Sequence, residues 1–398
     1  MRRTTPVDGA GDALASPSQV RVVNTARIVA LVRDGGPLSR AELVRASGLA
    51  RPTVMAIVSS LVAAGVLVES GTQRARDVPA HRGGRPGVLL TFNGAATTAV
   101  AAHLWSGNLA LRQVAADGAL LADVVLPTST WDFGTLLDLL VREVRRLTGP
   151  TGSLGALSVT VSGFIDRGTV TLPAHGWDRV PVQEEVQARL GVPVTLLGPP
   201  TAAVVGEVAS GAARARGDVV LIFLARGIGA GVVTGGRLLR GAGGAIGELG
   251  HCPVGSGLPC ACGRRGCLET VAAGWAVREQ VARLGLPVAP GSSLTDLAAL
   301  RDPRVDAVLA GAAAALGSAA AWLVNLLNPS TVVLADTGFT RGAERFFASF
   351  RAAVLEHALD PRGPEVVQGT EGAVVRGAAH AALEHLPVPV RPPLHLGS

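Results

Sequence analysis

The chain has 398 residues, 48% of them hydrophobic and only 17% charged, with a formal net charge of +6. At about 150 residues per domain that length supports two or three domains with ample core, and four cysteines in so long a chain exclude a disulfide scaffold. All 36 basic residues are arginine, with no lysine and no tyrosine, a bias that reflects base composition rather than function. Residues 1–93 hold 12 Arg against 6 acids, whereas residues 94–398 hold 24 against 24, so the whole net charge sits in the first quarter. A neutral body with a basic front predicts a polyanionic partner for the front module. The opening RRTTPVDGAGDALASPSQ lacks the apolar core of a signal peptide and reads as a flexible tail over residues 1–20, making the cytoplasm the expected compartment.

From Val22 the chain reads VVNTARIVALVRDGGPLSRAELVRASGLARPTVMAIVSSLVAAGVLVESG. Ile28, Leu31 and Val32 make a helical stripe that Gly35, Gly36 and Pro37 stop. Ser39 with Glu42 three residues on has the form of a capping box, predicting a short helix that turns at Ser47 and Gly48. The next helix carries Pro52 in its first turn, where a missing N–H costs nothing. Val54, Ile57, Val58, Leu61 and Val62 then form one apolar face, ended by Gly65. Short helix, glycine turn and longer helix is the helix-turn-helix pattern, whose second helix enters the major groove by its first turn. Arg51, Pro52, Thr53 and Met55 stand in that turn, with Arg40 and Arg45 placed to meet phosphates. VLVES and GVLLTF are predicted strands, joined by the basic loop GTQRARDVPAHRGGRP into a wing. Arg82 and Arg85 within it suit a narrow, negative minor groove. The plain alternative is a helical hairpin with a solvated loop. Caps, spacing, charge and wing together favour a winged helix-turn-helix over residues 21–92 that binds a double-stranded DNA operator.

Beyond Asn93, short β runs alternate with helical stretches, which predicts α/β architecture. GALSVTVSGFID, GVPVTLL, DVVLIFLARGIGAGVVTGG and STVVLAD are predicted strands; FGTLLDLLVREVRRL, PVQEEVQARL and an Ala-rich segment are predicted helices. That last segment, AVLAGAAAALGSAAAWLVNLL, carries no charge over 21 residues and meets the length of a membrane span. Alanine contributes little transfer energy and Ser318 and Asn325 interrupt it, so a buried helix is expected and no membrane partner. The runs GIGAG and GGAGG read as tight turns. All four cysteines fall in GHCPVGSGLPCACGRRGCLE, a spacing open to a metal, to disulfides or to redox chemistry, with a reducing compartment favouring the metal.

The segments GLARPTVMAIVSSLVAAGVLVESG, GFIDRGTV, GWDRVPV, GIGAGVVTGGRLLRGAGGAIGELGH, CACGRRGCLE and LVNLLNPSTVVLAD occur in the order found in the ROK family of repressors, open reading frames and sugar kinases. The resemblance covers about residues 22–385. It implies a two-lobed, actin-like and ribonuclease-H-like sugar-kinase domain over residues 93–388, with a zinc loop at 250–269 and a short tail at 389–398. With the front module, it implies a transcriptional repressor, a homodimer or dimer of dimers; the alternative is a kinase with an appended DNA-binding domain. His251, Cys260, Cys262 and Cys267 match the family's zinc ligands, and three thiolates with one imidazole make a closed, structural site. Cys252 is left over. Glu248, His251 and Glu269 match the residues that hold sugar hydroxyls, which implies a sugar or sugar-derived effector.

The kinase parts of the family pattern are missing. Counting back from Glu207, the run that supplies the catalytic Asp falls on Gly198, Pro199 and Thr201. His103 stands near the Asp of the first phosphate loop, Ala225 and Arg226 replace Gly and Thr of the second, and Ala335-Asp336 replaces a Gly-Gly. Without a base or phosphate loops, no ATP-dependent phosphotransfer is expected. Trp177 is expected in the core.

Overall fold

A computed structural model describes residues 17–72, 87–105, 107–149, 154–289, 291–336 and 344–386. The chain divides into two compact units, one running to Ala96 and the other from Thr97 to Leu386.

The first unit contains α1 (Pro17–Gly35), β1 (Leu38–Ser39), α2 (Arg40–Ser47), α3 (Arg51–Ala63), β2 (Leu67–Thr72) and β3 (Val88–Phe92). Ser39 and Glu42 form the expected capping box, and Gly48 ends α2 at φ 65, a conformation that costs glycine nothing. β3 pairs antiparallel with both β1 and β2. Ile28, Val32, Leu43, Val54, Ile57, Val58 and Leu61 close one core with Leu67 and Leu90 from the strands, while Leu31 and Val62 sit at its margin. Arg82 and Arg85 lie outside the described residues.

The second unit repeats one sheet plan twice. In its first lobe β4 (Thr98–Trp105), β5 (Asn108–Ala115) and β6 (Leu120–Pro127) form an antiparallel meander; β7 (Leu154–Val161) and β11 (Val194–Leu197) extend it in parallel from β4. The order is β11-β7-β4-β5-β6. α4 (Phe133–Thr148) and α5 (Val182–Leu190) cover one face, and β8 (Phe164–Asp166), β9 (Thr169–Leu172) and β10 (Trp177–Val180) make a small separate sheet. The second lobe has β12 (Val219–Leu224), β13 (Ile228–Thr234) and β14 (Arg237–Leu238) as its meander, then β15 (Thr331–Asp336) and β16 (Glu365–Gln368) in parallel, in the order β14-β13-β12-β15-β16.

Two helices form the crossing on which this unit is built, α6 (Pro199–Ser210) and α12 (Ala373–Glu384). They approach backbone to backbone: a Cβ added to Gly206 would stand 2.1 Å from the Ala373 carbonyl oxygen, and one on Gly377 would stand 1.7 Å from that of Ala202. Remaining helices of the second lobe are α7 (Glu269–Ala272), α8 (Gly274–Ala282), α9 (Leu294–Ala298), α10 (Pro303–Leu327) and α11 (Glu344–His357). α10 is the uncharged segment. Among the described residues it is the one helix long and apolar enough to cross a membrane. Leu309, Ala313, Leu316 and Ala320 along it pack into the second-lobe core with Phe346 and Phe350.

One sequence expectation changes and one gap is filled. The stretch around His103, for which no strand was predicted, is a hairpin of two strands. Seven consecutive residues of β4 are buried, so no alternation betrayed it. The GIGAG run is not a turn but the start of β13. Gly229 and Gly231 lie so close to α6 that added Cβ atoms would each stand 2.5 Å from Pro200, one from its ring and one from its carbonyl oxygen.

Candidate functional sites

The N-terminus of α3 is the exposed end of the front unit's longest-spaced apolar helix. Arg51, Pro52, Met55, Ala56 and Ser59 are exposed there, whereas Thr53 is half-buried. Ala50 at the N-cap offers no side-chain bond. The N–H groups of the first turn are thus left to the helix's surroundings, as suits a phosphate contact. Arg45 is exposed at the end of α2. Arg40 is held rather than free: its Nη2 donates to Glu69 Oε1 at 3.1 Å, tying α2 to the wing strand.

In the second unit the cysteine loop folds into a knuckle. Cys260 N–H donates to the Arg264 carbonyl and Gly266 N–H to the Leu258 carbonyl, both at 2.8 Å. Gly263 and Gly266 take φ 85 and 81, the bends that let the chain return on itself. One ligand atom each from His251, Cys260, Cys262 and Cys267 lies within 4.8 Å of all the others. His251 Nδ1 is 3.6 Å from Cys260 Sγ, and Cys262 Sγ is 3.7 Å from Cys267 Sγ. Burial, reinforced by Cys262 and Cys260, pushes the Cys267 thiol up to about 12. Three crowded sulfurs of this kind favour thiolates only around a cation, so the donor set fits a metal ion. Cys252 stands apart, its Sγ 4.0 Å from the Glu248 carbonyl oxygen.

The two acids are fixed to this loop. Glu248 precedes His251 by three residues, and its carboxylate lies 3.9 Å from His251 Nε2. The ring therefore offers Nδ1 to the sulfurs and Nε2 to the acid, which reconciles its two expected roles on one side chain. Burial raises the Glu248 carboxyl; His251 opposes the shift and Glu269 adds to it. Glu269 opens α7, two residues after Cys267, and its Oε1 accepts from Ile228 N–H at 2.9 Å. Gly227 and Gly250 make room for it: added Cβ atoms would meet its Oε1 at 2.5 Å and its Cγ at 2.7 Å.

The facing element, α6, presents carbon. Gly198 is its N-cap without a side-chain bond, and Pro199 and Pro200 fill its first positions. Two of the N–H groups that a helix N-terminus would offer an anion are deleted, and no carboxylate stands at residues 198–201. Glu207, the residue used for counting, is fully buried and structural. Its carboxylate accepts from Ala212 N–H and Thr370 N–H, each at 2.6 Å, and lies 3.6 Å from Arg376 Nη2. His103 is buried on β4 and stacked on Trp105 at 4.8 Å. Trp177 is in the first-lobe core as expected, its Nε1 donating to the Trp131 carbonyl at 2.7 Å. The aromatic surface lies beside it instead, where His175 stacks on Trp131 at 4.0 Å and 10°. Sequence reading missed that pair because 44 residues separate the two rings.

Fold and site together define a two-lobed, sugar-kinase-like body with a His-Cys loop that could hold a metal ion, following a helix-turn-helix unit in the chain. The ROK family profile matches residues 108–384, and an IclR helix-turn-helix domain profile matches residues 22–71. The chain belongs to the ROK family, and within it to the transcriptional regulators that carry an N-terminal helix-turn-helix. It is 27% identical over 334 residues to a xylose repressor of Bacillus spizizenii, covering 81% of this chain and 84% of the relative. It is 26% identical over 385 residues to the DNA-binding transcriptional repressor Mlc of Escherichia coli, covering 92% and 93%. The crystal structure of a ROK family transcriptional regulator, a homologue of that Mlc protein, superposes with a TM-score of 0.76 at 27% identity, covering 93% of this chain and 98% of that one.

Proposed function

We propose that this protein is an operator-binding repressor of the cytoplasm whose ROK body senses a sugar-derived effector and carries out no phosphotransfer. The DNA-reading module, residues 21–92, works through Arg51, Pro52 and Thr53 at the groove, with Arg45, Arg82 and Arg85 on phosphates or the minor groove and Arg40 bracing α2 against the wing strand through Glu69. Residues 93–388 form the effector and dimerisation body. Two copies give the two-fold symmetry that half-site recognition requires. Glu248, His251 and Glu269 bind effector hydroxyls, because paired acceptors suit vicinal hydroxyls. Zinc is the ion that suits His251, Cys260, Cys262 and Cys267, and it supplies structural support only, its four positions being filled by protein.

The observation that carries this reading is the exposed Arg51 end of α3 in the same chain as a Pro-Pro start to α6 where a kinase needs its base. Binding of the purified protein to its own promoter region tests it. Arg51→Ala weakens specific binding by about 10-fold or more, and the affinity falls steeply with salt. A promoter bound no better than random DNA, or sugar phosphate formed from ATP and any of a hexose panel, would refute it.

A further inference from the structure

The three sulfurs of the His-Cys loop are not equally protected. Cys260 is 8% exposed and Cys267 1%, whereas Cys262 is open to solvent at the tip of the knuckle, with Arg264 and Arg265 exposed just after it. Cys262 Sγ stands 3.7 Å from Cys267 Sγ. That spacing is close to the edge, about 3.8 Å, of a tetrahedron with metal–sulfur bonds of about 2.3 Å. A disulfide needs about 2.05 Å, so the sulfurs have to close by about 1.7 Å. Gly263 and Gly266 lie between them at φ 85 and 81, two bends that no side chain stiffens. Cys260 is placed differently: its Sγ lies beside His251 Nδ1 at 3.6 Å, and its N–H is tied to the Arg264 carbonyl. Cys267 is also tied inward. Its carbonyl accepts from Thr270 N–H at 3.0 Å and Thr270 Oγ1 at 2.7 Å, and Leu268 N–H donates to the Cys252 carbonyl at 2.9 Å. A displacement of Cys267 is therefore passed to the first turn of α7, where Glu269 holds Ile228 N–H.

We infer that Cys262 is an oxidation site for hydroperoxides and that Cys267 resolves it to a disulfide, which dismantles the metal loop. The Cys262 thiolate attacks one peroxide oxygen: an S–O bond forms, the O–O bond breaks, and the departing alkoxide or hydroxide takes a proton. The Cys267 thiolate then attacks the Cys262 sulfur: an S–S bond forms, the S–O bond breaks, and hydroxide leaves to become water on protonation. Two thiolates give up two electrons, the peroxide accepts them, and two protons come from solvent. Only Cys260 and His251 remain as donors, too few to keep a divalent ion. Disulfides that form transiently in a reducing compartment are characteristic of redox sensing. The inference goes beyond the repressor reading; it uses the donor set proposed above for zinc and is independent of which effector the cleft takes.

Full-length, reduced, zinc-loaded protein is treated with hydrogen peroxide, and three quantities are followed: zinc released to a chromogenic chelator, free thiols, and the tryptic peptide map. One zinc per chain is released while the thiol count falls from four to two, and dithiothreitol restores all four thiols. Arg264 and Arg265 lie between the two cysteines, so trypsin separates Cys262 from Cys267 in the reduced protein and leaves them joined in the oxidised one. Cys252→Ser responds as the wild type does. Cys262→His keeps four donors and its zinc, and releases the metal at least 10-fold more slowly. Zinc and all four thiols retained under peroxide that oxidises glutathione in the same solution would overturn the inference. So would a bridge to Cys252 or Cys260, or a Cys262→His protein that loses metal as fast as the wild type. A chain isolated without metal that still forms the 262–267 bridge would refute the zinc reading and support the pair.

Discussion

One substitution, made at two glycines, tests the packing that joins α6 to α12. At Gly377 the new methyl would lie 1.7 Å from the Ala202 oxygen and 2.6 Å from the Gly206 nitrogen. Both obstacles are main chain, so no side chain can swing aside. α12 has to retreat by more than 1 Å from α6 to restore an ordinary contact, and the interface opens along its length. Overpacking costs about 1–3 kcal/mol in typical cores, and alanine's helix preference returns about 1 kcal/mol. With rigid backbone on both sides the upper range applies, and Gly377→Ala destabilises the second unit by about 2 kcal/mol. At Gly311, on the exposed side of α10, nothing lies within 4 Å of an added Cβ. There the helix preference acts alone, and Gly311→Ala stabilises by about 0.5–1 kcal/mol. Urea unfolding followed by tryptophan fluorescence isolates this unit, because Trp105, Trp131, Trp177, Trp275 and Trp322 all lie beyond Ala96. A Gly377→Ala protein as stable as the wild type would refute the close crossing.

The reduced protein carries about one zinc per chain, and Cys267→Ser loses it together with thermal stability; metal analysis of reduced wild type well below one equivalent would count against the site. Glu207→Gln turns an amide N–H₂ toward one of the two N–H groups, Ala212 or Thr370, from which the separate carboxylate oxygens now accept, and leaves Arg376 without its counter-charge, lowering stability by about 3–5 kcal/mol in urea unfolding. An unchanged unfolding midpoint would contradict that network. Burial lowers His103 from the usual 6.5 to about 4, so the unfolded chain binds the extra proton between those values. Stability attributable to His103 is complete above about pH 6.5 and falls toward pH 4, by up to about 3 kcal/mol at 1.36 kcal/mol per pKa unit. His103→Asn flattens that part of the stability profile, and an unchanged acid limb would show that another group dominates it.

The front unit was legible because its signals are local. A capping box, a glycine at φ 65 and a Pro in the first turn all act within four residues, and each is where the sequence put it. The cluster of His251 with Cys260, Cys262 and Cys267 was legible for a similar reason, since the three cysteines fall within eight residues. Relations across the fold were not. Arg40 looked like a free phosphate contact until Glu69, 29 residues away, came beside it. The glycines of GIGAG looked like a turn because the α6 backbone that crowds them lies about 30 residues upstream. β4 escaped notice because both of its faces are buried, which removes the period-two pattern that marks a strand.

If it holds the proposed ion, the His-Cys loop is the fixed half of an asymmetric cleft. His251 and Cys267 each lie within three residues of an acid, so an ion binding both ligands holds Glu248 and Glu269 in one frame. Glu269 carries that frame onward through Ile228 N–H to the turn bearing Arg226. On the opposite side the Pro-Pro start of α6 supplies neither carboxylate nor N–H. Polar recognition is therefore concentrated on the side that the loop braces, and ligand affinity should depend on the loop far more than on α6. A kinase distributes the same task over both walls, because the hydroxyl must be held, deprotonated and aligned with phosphate. A sensor needs only a difference in affinity between two states. One polar wall is enough to supply it, which explains how the acid frame can remain useful after the facing wall has lost its chemistry.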